Sequence, residues 1–355
     1  MSQAWDCDGV GEGWEEAFRA VAREAFLPEV IWPYDMRERR SVMVARSRDL
    51  SAWREFAAGD VPIVTQWDDG AHEGTSPGRV ATSSSSMPSV VAAMLADRLG
   101  AANVTTVEVD PAVAAAARAA LKRTGHHPTV ITGDGRTGHA ARAPYERVIA
   151  TCGVRAIPRA WMAQTAPGGL IVAPWGTHFG NGDAVVRLEV ADGVAVGWFT
   201  RRVEFMKLRA QRTAVQHTDR VPPEGIAVAE PSTTELTEAD LLGTGIEDLP
   251  FLLGLRLHGC VQAVADRRGA TRPVWFYGRT DPSWAVVVFH GSQRPARVWQ
   301  SGPRRLWAEV EAAVRWWQAQ GRPGLDRFGL TATAGGTSTW LDTPGNVISS
   351  DGPPR

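Results

Sequence analysis

The sequence predicts an α/β protein: a doubly wound, mainly parallel sheet that ends in antiparallel strands, followed by a smaller C-terminal α+β domain. Three observations carry this expectation. Between residues 103 and 174, short β-rich runs alternate with helical segments. After Pro174 the alternation gives way to two strand-like runs joined by Ala191-Asp192-Gly193. A Pro, Thr and Glu-rich stretch without apolar period, residues 216–238, then separates this half from a second apolar-rich region. The expected organisation is a domain at 1–220, a linker at 221–238 and a C-terminal domain at 239–355.

At 355 residues, 44% of them hydrophobic, the chain is long enough for two cores of ordinary size. A formal net charge of -1 gives no sustained positive field, so neither nucleic acid nor an anionic membrane surface is an expected partner. The three cysteines, Cys7, Cys152 and Cys260, are far apart, which supports neither a disulfide framework nor a zinc site. No apolar run approaches the roughly 20 residues of a spanning helix. The first 16 residues are acidic where a signal peptide is basic and then apolar, and the expected location is the cytoplasm.

In chain order, Trp14, Ala17, Phe18, Val21 and Ala25 recur at helical spacing and predict an amphipathic helix over residues 13–26. A loop-rich stretch follows to about Gly78. Met87-Pro88 opens the next helix, with proline near the first turn, where its missing N–H costs nothing. Residues 104–109 read as a strand and 111–121 as an alanine-rich helix opened by Asp110 and Pro111, together one βα unit. Then come a strand at 128–132, the turn Gly133-Asp134-Gly135, a strand at 147–151, a helix at 158–164 and a strand at 169–174. Runs at 184–190 and 194–199 form an antiparallel hairpin. The C-terminal region offers strands at 274–277 and 284–290 and a helix at 304–320 with Leu306, Val310, Ala313, Val314 and Trp317 on one face. A last hairpin, 330–334 and 337–341, closes around Gly335-Gly336.

Chemistry concentrates in three places. Glu108 falls at the C-terminal end of a strand, the end that faces the ligand crevice of a doubly wound fold, where an acid can accept both hydroxyls of a ribose. The competing role, capping the next helix, suits Asp110 better. The Gly133-Asp134-Gly135 turn follows the next strand at the same edge, so Asp134 is placed to accept from an adenine amino group; with Glu108 it reads as a nucleoside site. The run Thr82-Ser83-Ser84-Ser85-Ser86-Met87-Pro88 precedes a helix. It serves either as an N-cap and flexible loop or as a turn whose N–H groups and hydroxyls orient a substrate carboxylate.

These motifs occur in a recognisable order: Ser86-x-Pro88, Val107-Glu108, the run from Gly133 to Gly138, Ala143-Pro144-Tyr145-Glu146-Arg147-Val148-Ile149, and Ala166-Pro167-Gly168-Gly169, preceded by Arg23-Glu24-Ala25-Phe26-Leu27-Pro28. The N-terminal half resembles protein-L-isoaspartate O-methyltransferases. It is most similar to an actinobacterial branch associated with lanthipeptide and graspetide maturation, through the box Ser83 to Pro88, Phe205-Met-Lys-Leu-Arg209, Gly302-Pro-Arg-Arg-Leu-Trp307 and Asp326-Arg-Phe-Gly-Leu330. The resemblance implies a Rossmann-like S-adenosylmethionine (SAM) methyltransferase fold and SAM as cofactor, with no metal. It implies Ser86 as the catalytic serine beside the carboxylate being methylated, Glu108 as the ribose ligand, and Asp134 and Gly135 as adenine ligands. The implied substrate is an aspartyl or isoaspartyl side chain of a protein or precursor peptide, esterified and then closed to a succinimide. The alternative is a degenerate accessory protein that holds a precursor peptide through its C-terminal domain, with tryptophans such as Trp299, Trp307, Trp316 and Trp317 as candidate contacts.

One departure matters. The family places a strand and a glycine-rich loop of the form V-L-E-I-G-x-G-x-G-Y between the serine box and the ribose acid. Here residues 89–103 contain a single glycine, Gly100, so the first strand of the SAM half and its loop are missing as one block. Loss of a central strand leaves two unpaired edges, a slot that a segment such as Val61-Pro-Ile-Val-Thr65 could fill.

Overall fold

The computed structural model describes residues 21–35, 40–94, 103–213, 217, 220–243, 248–291 and 295–351. Most of the helix expected at 13–26 lies outside these residues; its end is a 3-10 turn, Arg23–Phe26. The chain divides into two compact units, Met1–Pro144 and Tyr145–Arg355.

In the first unit, β1 (Val30–Asp35) pairs antiparallel with β2 (Arg40–Ser41), β3 (Val44–Ala45) and, beyond α1 (Leu50–Ala58), β4 (Ile63–Trp67). Asp49 caps α1 by accepting from Ala52 N–H. β4 pairs in turn with β5 (Ala81–Ser85), which leads into α2 (Pro88–Met94). The stretch expected to be loop-rich is therefore a small sheet with a helix on it. Fully buried Ile31, Trp53 and Ile63 form its core with Leu27, Val44 and Ala57, each large apolar side chain contributing about 1.5–3 kcal/mol. The segment that could have filled the missing-strand slot instead belongs to β4.

A separate parallel pair follows. β6 (Thr105–Glu108) and β7 (Thr129–Thr132) are joined by α3 (Pro111–Arg123). Asp110 caps α3, accepting from Ala112 and Val113 N–H, and Pro111 occupies the first turn as its fixed φ favours.

The second unit begins with another parallel pair, β8 (Tyr145–Ile149) and β9 (Thr165–Trp175), connected through α4 (Arg159–Gln164). Antiparallel β10 (Asp183–Ala191) and β11 (Val194–Val203) extend it. Asp192 (φ 51°) and Gly193 (φ 75°) are both left-handed, as the tight turn of such a hairpin requires. There follow β12 (Glu230–Thr234), α5 (Glu238–Leu242), α6 (Leu249–Gly254), β13 (Cys260–Val264), β14 (Thr271–Gly278), β15 (Trp284–His290), β16 (Ala296–Ser301), α7 (Leu306–Ala319), β17 (Phe328–Thr333), β18 (Gly336–Leu341) and β19 (Val347–Asp351). The sheet orders are β19-β18-β17-β11-β10-β9-β8 and β12-β16-β15-β14-β13. Helix α6 serves both cores: Phe251 and Leu252 pack in the first, and Leu249 and Leu253 in the second with Leu306, Val310 and Val314 of α7.

The topology confirms the α/β class with antiparallel strands at the end of the sheet and a β-rich C-terminal addition. The described parallel strands fall into two pairs, β6–β7 and β8–β9, in different sheets. Two details of the expected organisation differ. Residues 221–238 are not a plain linker, since β12 lies within them as an exposed, polar edge strand paired with β16. And the last hairpin does not belong to a separate domain at 239–355. β17 pairs with β11, and Phe328, Leu330 and Ala332 are buried in one cluster with Val186, Leu188 and Phe199. Gly329 permits this close pairing, since a Cβ there would strike the Trp340 indole and the Gly197 carbonyl.

Candidate functional site

The parallel register Glu108↔Thr132 puts the two chain segments that follow, Val109-Asp110 and Gly133-Asp134, at the same edge of the β6–β7 pair. Gly133 N–H donates to the Glu108 carbonyl at 2.9 Å, which ties the turn to the end of β6. Glu108 is half-buried, and its Oε1 accepts the Asp110 N–H at 2.8 Å. Only Oε1 is engaged in a hydrogen bond with the described residues. Thr105 Oγ1, on the same strand, is buried without a hydrogen-bond partner among the described residues.

Asp134 heads a 3-10 turn, Gly135–Thr137. Its Oδ1 accepts Arg136 N–H at 2.9 Å, and its Oδ2 accepts Arg136 Nε and Nη2 at 2.9 and 2.7 Å. The Arg136 guanidinium holds the Asp134 carboxyl below the usual carboxylate range. A ligand amino group therefore reaches Asp134 through the remaining lone pair of Oδ1 or by displacing Arg136. The ribose end of the cofactor expected from the sequence fits this edge. The adenine end fits through Oδ1 alone while Arg136 stays in place, and the glycine loop for the methionine end is missing from the sequence.

The serine box is the end of β5 and the start of α2. Ser86 is half-buried, and its carbonyl accepts from Arg23 Nη2 at 2.9 Å. Arg23 also donates to Ser85 Oγ (2.8 Å), Ser85 O (2.7 Å), Gly59 O (3.1 Å) and Val61 O (3.0 Å). Burial pushes its guanidinium down to about 10, still charged at neutral pH. Asp60 Oδ1 accepts Ser89 N–H at 3.0 Å in the first turn of α2. The box is thus a clamped turn in the first unit, together with Glu108 and Asp134. Arg23 went unmarked in the sequence as a site residue, although it opens one of the recognised motifs.

The second unit holds a buried polar cluster that the sequence did not single out. Asp183, wholly buried at the start of β10, pairs with Lys207 Nζ at 2.7 Å and accepts Phe205 N–H at 3.3 Å. Lys207 Nζ also donates to Asn181 O at 3.0 Å. Burial raises the Asp183 carboxyl even against the opposing pull of Lys207, and lowers the Arg155 guanidinium nearby. Arg155 donates to Thr177 O, and Gln211 Oε1 accepts Arg155 N–H at 2.6 Å. The segment Phe205 to Arg209, recognised in the sequence, is pinned to the sheet by these bonds. Among the described residues no group of His, Cys, Asp and Glu is placed to hold a metal, and no helix is long and apolar enough to cross a membrane.

Comparison with known proteins bears on residues 12–212, more than half of the chain. They match the family model of protein-L-isoaspartate(D-aspartate) O-methyltransferase (PCMT). A protein-L-isoaspartate O-methyltransferase of Methanopyrus kandleri is 33% identical over 167 residues, 45% of this chain and 68% of that protein. Those of Methylibium petroleiphilum and Anaeromyxobacter sp. are 39% and 46% identical over 82 and 78 residues, 23% and 21% of this chain. The chain spans about a third of the length of these two, 30% and 37%. Among solved structures, a protein-L-isoaspartate O-methyltransferase is matched at TM-score 0.47 and 17% identity, over 95% of this chain and 96% of that one. A putative one from Plasmodium falciparum in complex with S-adenosyl-L-homocysteine is matched at TM-score 0.39 and 9% identity, over 58% of this chain and 92% of that one.

Proposed function

Because this chain belongs to the protein-L-isoaspartate(D-aspartate) O-methyltransferase family, we propose that it methylates the side-chain carboxylate of an aspartyl or isoaspartyl residue, with SAM as cofactor. The observation that carries the reading is the shared edge of β6 and β7, where Glu108 and the Asp134 turn are bonded together in the same unit as the serine box. SAM, when bound, supplies an electrophilic methyl group. Glu108 accepts from the ribose, Asp134 and Gly135 contact the adenine, and Ser86 orients the acceptor carboxylate for in-line attack. Positioning, rather than acid–base chemistry, is the larger part of such a transfer. In the ester product the following backbone nitrogen attacks the side-chain carbonyl and methanol leaves, closing a succinimide.

The proposed substrate is a precursor peptide handled in the cytoplasm, in preference to age-damaged protein, on the resemblance of the box Ser83 to Pro88 and of the C-terminal motifs to the peptide-maturation branch. A second reading, a peptide-binding accessory protein without catalysis, is favoured by one observation: no glycine-rich loop separates Ser86 from Glu108. Calorimetric titration decides between them. Uptake of SAM below millimolar concentration, with methyl transfer lost in Ser86→Ala at unchanged affinity, supports the enzyme; absence of binding sinks it.

A further inference from the structure

β4 ends in a connection that the methyl-transfer reading does not use. Gln66 donates from Nε2 to Asp110 Oδ2 at 3.1 Å, and its Oε1 accepts the Thr82 hydroxyl at 2.9 Å. Asp110 is buried, caps α3 and has its own N–H held by Glu108. Thr82 lies on β5, the strand that runs into Ser86. One amide thus touches both the serine box strand and the acid pair at the nucleoside edge. The position demands a group that donates to a carboxylate and accepts from a hydroxyl at once, which an amide does and a carboxylate or an alkyl group does not.

The backbone around Gln66 is shaped for this. The β4–β5 register slips on both sides of it, between Val64 and Gln66 and between Gln66 and Trp67, the kind of bulge that re-aims a side chain. The turn that follows holds two non-glycine residues in the left-handed region, Asp68 (φ 49°) and Asp69 (φ 55°). It is fixed there by Asp68, which accepts Arg79 and Val80 N–H at 3.0 and 2.8 Å, and by Asp69 N–H donating to Thr82 Oγ1 at 3.0 Å. Gly78 packs so closely on Trp67 and Asp68 that a Cβ has no room. Strained backbone persists only where its surroundings over-determine it.

We infer that Gln66 is a positioning residue, which sets the serine box in fixed relation to the Glu108–Asp110 pair in a chain without a glycine-rich loop between them. Its consequence for cofactor binding rests on the methyl-transfer reading; the mechanical link does not. The test compares Gln66→Leu, Gln66→Glu and Thr82→Val in the full chain, by backbone hydrogen exchange without cofactor and by calorimetric titration with S-adenosylhomocysteine. In Gln66→Leu, residues 82–86 and 108–113 exchange faster together while residues 44–57 keep their protection, and affinity falls about tenfold. Gln66→Glu binds as weakly, because it loses the donor to Asp110 and adds a like charge. Gln66→Leu and Thr82→Val combined lose less affinity than the two single losses summed, because both break the same Gln66–Thr82 bond. Faster exchange in only one segment, in neither, or across the whole unit overturns the inference, as does affinity that stays within about twofold. If the unaltered chain takes up no S-adenosylhomocysteine, the methyl-transfer reading falls and the exchange result alone decides the role of Gln66.

Discussion

Replacing Lys207 with methionine tests whether the buried cluster of the second unit is an ion pair in substance as well as geometry. Asp183 is wholly buried and the Lys207 side chain only 11% exposed, so solvent does little to screen or replace their 2.7 Å contact. Removing one partner of such a pair leaves an uncompensated charge and costs about 3–5 kcal/mol. Phe205 N–H and the nearby Arg155 still favour the Asp183 carboxylate, which places the expected loss near the lower end, about 3 kcal/mol. For a unit of this size that is a fall in unfolding midpoint of roughly 6–12 °C, readable by scanning calorimetry of the full chain.

The pH dependence gives the sharper test. Burial already raises the Asp183 carboxyl above the usual aspartate range, so the folded chain retains a proton there that the unfolded chain releases. That contribution to stability is complete below about pH 4, the unfolded value, and is lost as pH rises through the raised one. Without Lys207 the carboxyl rises further. The deficit of Lys207→Met relative to the unaltered chain therefore shrinks on acidification from pH 7, and Asp183→Asn in the same chain recovers most of it. A loss below about 1 kcal/mol, the value of an ordinary surface pair, or a deficit independent of pH refutes the reasoning.

Arg23→Ala removes the clamp on Gly59, Val61, Ser85 and Ser86 and is expected to destabilise the first unit by about 2–3 kcal/mol; denaturant unfolding of variant and parent checks it. Arg136→Ala frees the Asp134 carboxylate, whose ionisation returns toward the ordinary range, observable by NMR titration. On the methyl-transfer reading the same variant binds S-adenosylhomocysteine at least as well as the parent, whereas Asp134→Ala weakens it. A chain ended at residue 238 loses β17 from the side of β11 and, with it, Phe328, Leu330, Ala332 and Leu341 from the core; it is expected to be protease-sensitive and aggregation-prone, and a stable, soluble fragment would contradict the single seven-stranded sheet.

What was legible in the sequence was local. The Asp110-Pro111 start of α3, the Asp192-Gly193 turn and the buried face of α7 each follow from residues a few positions apart, so cap chemistry, left-handed turn residues and a 3.6-residue period are enough to read them. Glu108 and the Asp134 turn were legible as neighbours because a βα unit fixes where consecutive parallel strands end. The first-unit sheet was not, because β2 and β3 are two residues long and β1 carries Pro33 at its centre, so no alternation has room to show. β12 was hidden for another reason. An edge strand exposed along most of its length needs no apolar face, and Glu230-Pro-Ser-Thr-Thr234 has the composition of a linker. Neither Gln66 nor Asp183 carries a sequence signal, since each acquires its role from partners far along the chain, Asp110 in one case and Lys207 in the other.

The missing block joins the two kinds of feature. Its absence shows against the pattern of the family, and the structure has two parallel pairs in separate sheets rather than one continuous ladder. Strand β5, which runs into the serine box, belongs to a different sheet from β6 and β7, so no ladder ties the serine box to the nucleoside edge. In the first unit that tie is made of side chains: Thr82, Gln66 and Asp110 supply by three polar groups what strand pairing does not.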